Sequence, residues 1–478
     1  MVFSSLLFVF LFFAANIVVQ ALVPGIRKKN IVMLAFSLVF YAWAGPKYIL
    51  LLLGMTFICW AGGMYIAYRA RTHRQRKAAL AITVTLMLLI LCIFKYTGFF
   101  LQNLQLLTGF PKVIPQIALP IGISFYTFQL LSYVVDVYRE DVEPQEKYWL
   151  LLLYASLFHQ CIAGPIVRYK DVNDDILHRQ VKRSEVDRGI TRFAVGLAKK
   201  AVLANGCASI ADTLLATTPD AMAGIPALGV WLGGLAYMLQ IYLDFSAYSD
   251  MAIGMGLMCG FHYKENFNYP YVANSITDFW RRWHISLSTF FRDYVYIPLG
   301  GNRCSRNRQI FNMFVVWALT GMWHGASWNF ILWGLYFFVF LVLEKYALRD
   351  SLPRWNPVLR HAAVLLVIYF SWMIFHFTDM SVLGIALKGL FGLNGNGFSN
   401  MTASLQFKNN IFFLLFACIA VTPLGTKLTC ILNNAAKRSK AALVVWSCWK
   451  VLCPLLMLVL SMMALAGDSY NPFLYFRF

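Results

Sequence analysis

Charge is scarce in this 478-residue chain, where Asp, Glu, Lys and Arg together make up 13%. Soluble globular domains carry about 25%, so a water-soluble protein of one to three domains is excluded. Acidic residues are scarcer than basic ones, 21 against 41, leaving a formal charge of +20. In a soluble protein that balance would suggest a nucleic-acid partner. Here the basic residues cluster in short loops between apolar runs, which the excess of Lys and Arg in cytoplasmic loops of membrane proteins explains without nucleic acid. The ten cysteines form no C-x-x-C pair and lie mostly inside apolar segments, so neither a zinc site nor a disulfide framework is supported and no metal is expected. A phosphate loop, a G-x-S-x-G elbow and a tandem repeat are also missing. Residues 1–24 lack a basic leading region, and Arg27, Lys28 and Lys29 follow the apolar run. That order predicts a retained first helix with its N-terminus outside, not a cleaved signal.

Apolar side chains are abundant. Hydrophobic residues make up 60% and mean hydropathy is +0.62, gathered in stretches of about 20 residues that suit a hydrocarbon core of roughly 30 Å. The expected fold class is all-α, a polytopic integral membrane protein. A first helix near 2–24 leads to the basic triplet at 27–29, a segment near 31–44 returns to Gly45 and Pro46, and one near 48–67 descends to Arg69, Arg71, Arg74, Arg76 and Lys77. Both basic loops fall on the cytoplasmic side. Further segments near 79–98, 116–137, 309–323, 327–349, 362–377, 409–424 and 442–466, with less regular runs at 200–300, bring the total to about eleven crossings. The stretch 164–192 is too hydrophilic to span. Lys437, Arg438 and Lys440 lie inside, and 467–478 form a tail on the outer face.

Three blocks interrupt the apolar pattern with chemistry. In 275–294, Ser275 stands three residues before Asp278 and can cap a helix. In one continuous helix Trp280, His284, Leu287 and Phe291 would share a face. The block reads either as an interfacial helix with Trp anchors and snorkelling Arg281, Arg282 and Arg292, or as a basic wall for a phosphorylated substrate with His284 turned inward. Around His324, a continuous helix would put Trp317, Gly321, His324, Trp328 and Ile331 together, with Gly321 and Gly325 open to a substrate. An imidazole there is either a hydrogen-bonded helix contact or a general base, since its ordinary pKa is near 6.5. The third block, 243–254, holds Asp244, Ser246, Tyr248, Ser249 and Asp250 in one apolar segment. Intramembrane acids of this kind survive facing protein or water and can equally mark an ion pathway. Leu119-Pro-Ile-Gly-Ile reads as a broken helix start.

These blocks carry a resemblance. The sequence resembles the membrane-bound O-acyltransferase family, in its bacterial alginate and peptidoglycan O-acetyltransferase membrane-subunit branch. The matching stretches are Met-Val-Phe-Ser-Ser at the start, Phe40-Tyr-Ala-Trp, residues 119–128, Ile162-Ala-Gly-Pro, 244–254, Glu265-Asn-Phe, 279–288, Leu299-Gly-Gly-Asn-Arg and 321–326. They spread over 1–345. The final third matches more loosely, reading Phe375-His-Phe-Thr-Asp where an aromatic-Phe-Arg-Ala pattern is expected, and Ala247 replaces a frequent Gly. The resemblance implies a single domain over 1–478, a ring of helices thinned at its centre, and funnels from both faces meeting near the histidines. It implies acyl transfer, usually of acetyl, from a cytoplasmic thioester such as acetyl-CoA toward a cell-envelope polysaccharide, with no bound cofactor. It places the family's invariant His on His324 and its upstream polar partner on His284. Trp280, Arg281, Arg282, Trp323, Asp244, Tyr248, Ser249 and Asp250 are then the substrate- and donor-binding set. An extracytoplasmic SGNH-type transferase is the implied partner, in a bacterial cytoplasmic membrane with both termini outside and lipids around it.

The tail Asn471-Pro-Phe-Leu-Tyr-Phe-Arg-Phe478 reads as an interfacial aromatic anchor. By resemblance to systems with a similar terminal hexapeptide, it reads instead as a carrier in which Tyr475 accepts the acyl group. The competing function is a proton-coupled transporter or flippase with Asp244, Asp250 and His324 as a relay. Transporters commonly show two similar halves, and none is visible in this sequence. A purely structural scaffold for an envelope complex is the third reading.

Overall fold

A computed structural model describes residues 3–161, 164–467 and 473–474, and these are helical with no strand among them. Eight helices among the described residues are long and apolar enough to cross a membrane: Pro46–Arg69, His73–Thr108, Arg183–Leu214, Ala227–Cys259, Trp328–Ala347, Pro357–His376, Met401–Ala420 and Lys440–Gly467. Phe8–Leu22 and Met380–Leu390 are shorter apolar helices. The expected crossings near 31–44, 116–137 and 309–323 are present as helices Ile26–Ala44, Ile123–Tyr138 and Arg306–His324, which are shorter or more polar than the eight.

Local chemistry sets many of the ends. Thr72 and Gln75 form a reciprocal capping box that opens the helix at His73. The broken start expected at 119–123 is real: Gly122 sits at φ +72 and the helix begins at Ile123. One span is not delimited by the sequence: the helix that starts at Arg183, inside the hydrophilic stretch 164–192, runs on to Leu214 and is long and apolar enough to cross a membrane. Lys199 and Lys200, in the middle of that run, mask its apolar character in the sequence.

The described chain forms two compact units. One holds residues 1–193, 249–265 and 289–298, and the other 194–248, 266–288 and 299–478. In the first unit the polar side chains pair closely. Arg179 donates to the Cys259 carbonyl at 3.0 Å and lies over the Phe261 ring at 4.4 Å. His262 reaches both Asp175, at 3.0 Å, and Glu185, at 3.3 Å. Tyr294 donates to the buried Asp136 at 2.8 Å while Arg139 and Arg168 lie against its ring. The second unit has an aromatic interior built from Trp280, Trp283, Trp317, Trp333, Phe337 and Trp372, and this interior surrounds the candidate site.

Candidate active site

The chain breaks at His284. Ser275 caps the preceding helix, its hydroxyl accepting the Asp278 N–H at 3.0 Å as the sequence predicts. That helix, Ile276–Arg282, then stops, and Trp283 is extended. His284 takes φ +43 and a new helix begins at Ile285. A left-handed conformation costs a residue with a Cβ roughly 1–2 kcal/mol, so something must hold it. The Asn266 carbonyl accepts the Ile285 N–H at 2.9 Å, and the Asn266 side-chain oxygen accepts the Ser286 N–H at 3.1 Å and the Ser286 hydroxyl at 2.9 Å. These replace the partners that a continuous helix would have supplied. Trp280, His284, Leu287 and Phe291 therefore do not form one helical face. His284 is fully buried, with Nδ1 at 3.3 Å from the Asn266 oxygen. Its Nε2 has no hydrogen-bond partner among the described residues. Burial lowers its proton affinity, so the imidazole is neutral.

His324 ends the helix Arg306–His324, and Trp328 opens the next. The shared face expected for Trp317, His324, Trp328 and Ile331 is thus interrupted after His324. The glycines also do a different job from the one expected. A Cβ at Gly321 would strike the Phe330 carbonyl, one at Gly334 the Trp317 carbonyl, and one at Gly325 the Phe330 ring. They seat two helices against each other, and at these positions the close neighbour is protein. Packed this way, the His324 ring lies 5.0 Å from Trp323, 4.9 Å from Trp333 and 5.3 Å from Phe375. Trp323 in turn lies 5.7 Å from His284. The Trp323 indole therefore touches both histidine rings.

A cavity opens beside His324. Ile241, Asp244, Phe245, Trp283, Trp372 and Phe375 line it, and so do Phe473 and Leu474 from the far end of the chain. Its residual volume is about 20 Å³, room for about one water. Asp244 is 2.9 Å from the Lys200 ammonium, with the two side chains 2% and 3% exposed. The Leu474 N–H donates to the other Asp244 oxygen at 2.7 Å. Phe473 stacks on Tyr248 at a centroid distance of 4.0 Å.

Of the residues expected from sequence, the structure thus gathers His324, Asp244, Tyr248, Trp323 and His284 within one unit. Trp280 packs into the aromatic interior, 4.6 Å from Trp317 and 4.9 Å from Phe337. Arg281 is exposed, and Arg282 is tied to Asp278 of its own helix at 2.8 Å. Ser249 and Asp250 belong to the other unit, where Asp250 pairs with Arg192 at 2.9 Å. Tyr475 lies outside the described residues. Sequence reasoning missed Lys200, Asn266, Trp283 and Trp372. Only Lys200 left a readable sign, a cation inside an apolar run.

Comparison with known proteins adds an independent finding. Residues 79–387 match the model of MBOAT, the membrane-bound O-acyltransferase family. Among curated proteins, the chain is 37% identical over the full length of both chains to "Probable alginate O-acetylase AlgI" of Pseudomonas aeruginosa, and 36% identical, again end to end, to the protein of the same name from Azotobacter vinelandii. It is 29% identical to "Peptidoglycan O-acetyltransferase" of Helicobacter pylori, covering 100% of this chain and 98% of that one.

Proposed function

The chain belongs to the membrane-bound O-acyltransferase family and is a multi-pass membrane O-acyltransferase, and on that premise we propose that it transfers an acetyl group from a thioester donor to a cell-envelope polysaccharide through His324 and the tail residue Tyr475. Its full-length relatives are named for acetylation of alginate and of peptidoglycan, which supports acetyl as the group and an envelope polymer as the acceptor. The observation that carries the mechanism is that His324 and the tail residues Phe473 and Leu474 line one cavity.

In the first step the Tyr475 hydroxyl attacks the donor carbonyl. Its proton passes to the His324 imidazole, a C–O bond forms, the C–S bond breaks, and the thiolate leaves with the proton from His324. In the second, a nucleophile of the extracytoplasmic partner attacks the tyrosyl ester, taking the acyl group and giving its proton to the phenol, and the partner then passes the acyl group to a polymer hydroxyl. A phenol, with a pKa near 10, is a better leaving group than an alkyl alcohol, so the ester keeps much of the donor's transfer potential. Dividing the transfer between two short steps is the advantage of a covalent intermediate. His284, neutral and buried with Nε2 unpartnered among the described residues, serves on the donor side of Trp323.

The donor is acetyl-CoA or a related acyl thioester entering from the cytoplasm, with Arg281 and Arg282 as phosphate partners. The same arginines could instead hold anionic lipid. Charge-removing substitutions raise the apparent donor KM in the first case and leave it unchanged in the second. The protein sits in a bacterial cytoplasmic membrane with both termini outside, and an extracytoplasmic SGNH-type transferase completes delivery to the sugar. Impermeant thiol labelling of a cysteine placed at 470 in a cysteine-free variant tests that orientation, and protection in intact spheroplasts overturns it.

The decisive variant is His324→Ala. General-base catalysis is typically worth 10²- to 10⁴-fold, so acylation should fall by about that factor while the protein remains in the membrane at its normal level. Full activity in that variant would move the chemistry elsewhere.

A further inference from the structure

Lys200 and Asp244 take no part in the steps above, yet they form a buried ion pair beside them. Removing two charges from water costs several kcal/mol per ion, and a buried pair is often no more stable than apolar residues of similar volume. Stability alone is therefore a weak reason for this pair, and its surroundings supply a better one.

Lys200 lies in Lys199–Ala204, where the helical ladder widens to a π-type turn, a distortion found mostly at functional sites. Lys199 donates to the Ser246 hydroxyl at 3.4 Å, so both lysines of this turn face the same stretch of the helix Ala227–Cys259. Asp244 uses its two oxygens differently. One meets the Lys200 ammonium at 2.9 Å, and the other accepts the Leu474 backbone N–H at 2.7 Å. A hydrogen bond to an ionised acceptor is about twice as strong as a neutral one, and a backbone N–H buried without an acceptor costs about 1–3 kcal/mol. Phe473 on Tyr248 fixes the preceding residue. The tail is thus held at two consecutive residues, one by stacking and one by a carboxylate, immediately before Tyr475.

We infer that the Lys200–Asp244 pair is the dock of the C-terminal tail. Lys200 pairs with Asp244 and aims it, and Asp244 grips the Leu474 amide at the edge of the His324 cavity. Both are positioning residues. The inference rests on the tail reading proposed above, but its test reads docking without any acyl chemistry.

The test places a cysteine at Leu474 in a cysteine-free, Tyr475→Phe background and measures its reaction rate with a small maleimide. Three forms are compared: the unaltered pair, Lys200→Met with Asp244→Leu, and Lys200→Met with Asp244→Asn. The Met/Leu form removes the charges and the acceptor together and leaves no unpaired ion to unfold the protein. A docked thiol reacts in proportion to the fraction of time it is open, so the Met/Leu form should react roughly tenfold faster or more. The Met/Asn form keeps an oxygen that can accept the amide and should stay within about threefold of the unaltered pair. Equal rates in all three forms would overturn the inference, as would release by Met/Asn as complete as by Met/Leu. With Tyr475 intact, the Met/Leu form should also lose polymer acylation while its membrane level is unchanged. If Tyr475→Phe alone acylates polymer at the wild-type rate, the carrier reading fails, and the labelling result still decides whether the tail docks on this pair.

Discussion

Asp244 and Asp250 lie on the same helix, Ala227–Cys259, and are satisfied in contrasting ways. Asp244 and its cation Lys200 are almost completely enclosed, at 2% and 3% exposure, and Asp244 also accepts a tail amide. Asp250 and its cation Arg192 are 15% and 28% exposed, and Arg192 divides itself between Asp250 and Glu265. Near solvent, a network of that kind can lose one member and let water replace it. In the enclosed pair, each charge is tolerated only while the other is present. Two acids that look alike in an apolar sequence are therefore held differently: one in an ion network near solvent, the other in an enclosed pair that lines the His324 cavity.

The sharpest way to break this comparison is to remove each cation in turn. Lys200→Met alone should cost about 3–5 kcal/mol, the usual penalty for stranding a buried charge, whereas Arg192→Met should cost about 1 kcal/mol or less. Denaturant unfolding of the detergent-purified protein measures both, and similar losses would erase the distinction. A smaller effect is expected at Asn266. Its replacement by Ala strands the Ser286 N–H and should cost about 1–3 kcal/mol, read in the same unfolding experiment. At His284 the backbone itself can be tested. His284→Gly and His284→Ala open the same buried cavity, but glycine is free of the left-handed strain, so the Gly variant should be more stable than the Ala variant by about 1 kcal/mol, with acylation reduced in both.

The smallest expected effect is a pH dependence in the other unit. At His262 burial disfavours the imidazolium, but hydrogen bonds and charges from Asp175 and Glu185 outweigh it and raise the pKa above the ordinary value. A raised folded-state pKa gives stability that is fully present below the unfolded value of about 6.5 and is lost as pH rises through the folded value. The thermal midpoint of the wild type should therefore exceed that of His262→Gln most at about pH 5.5, and the gap should close by about pH 9. A gap that widens with pH would contradict the pairing.

Much of the fold was legible because spans announce themselves by length and hydropathy, and the helix end at Ser275 and the break at Gly122 follow from residue chemistry alone. The site was legible only in part. His324 and His284 stood out as imidazoles in apolar runs, but the helix break at His284 depends on Asn266, 18 residues away, and the tail contact joins residues 230 apart. Periodicity within one segment carries no trace of either. Arg183–Leu214 was hidden for a related reason. Lys199 and Lys200 depress its hydropathy, and what makes Lys200 tolerable, the Asp244 carboxylate, comes from another helix. The glycines at 321 and 325 were visible, but what faces them is Phe330, which spacing could not show.

The central claim, that acyl groups pass through the tail beside His324, is tested most directly by the mass of the C-terminal peptide. Purified protein is incubated with an acyl thioester in the absence of acceptor and digested. The wild-type peptide containing Tyr475 should then carry one acyl group, and the peptides from Tyr475→Phe and from His324→Ala should carry none. An unmodified wild-type peptide from protein that still acylates polymer, or an equally acylated one from His324→Ala, would contradict it.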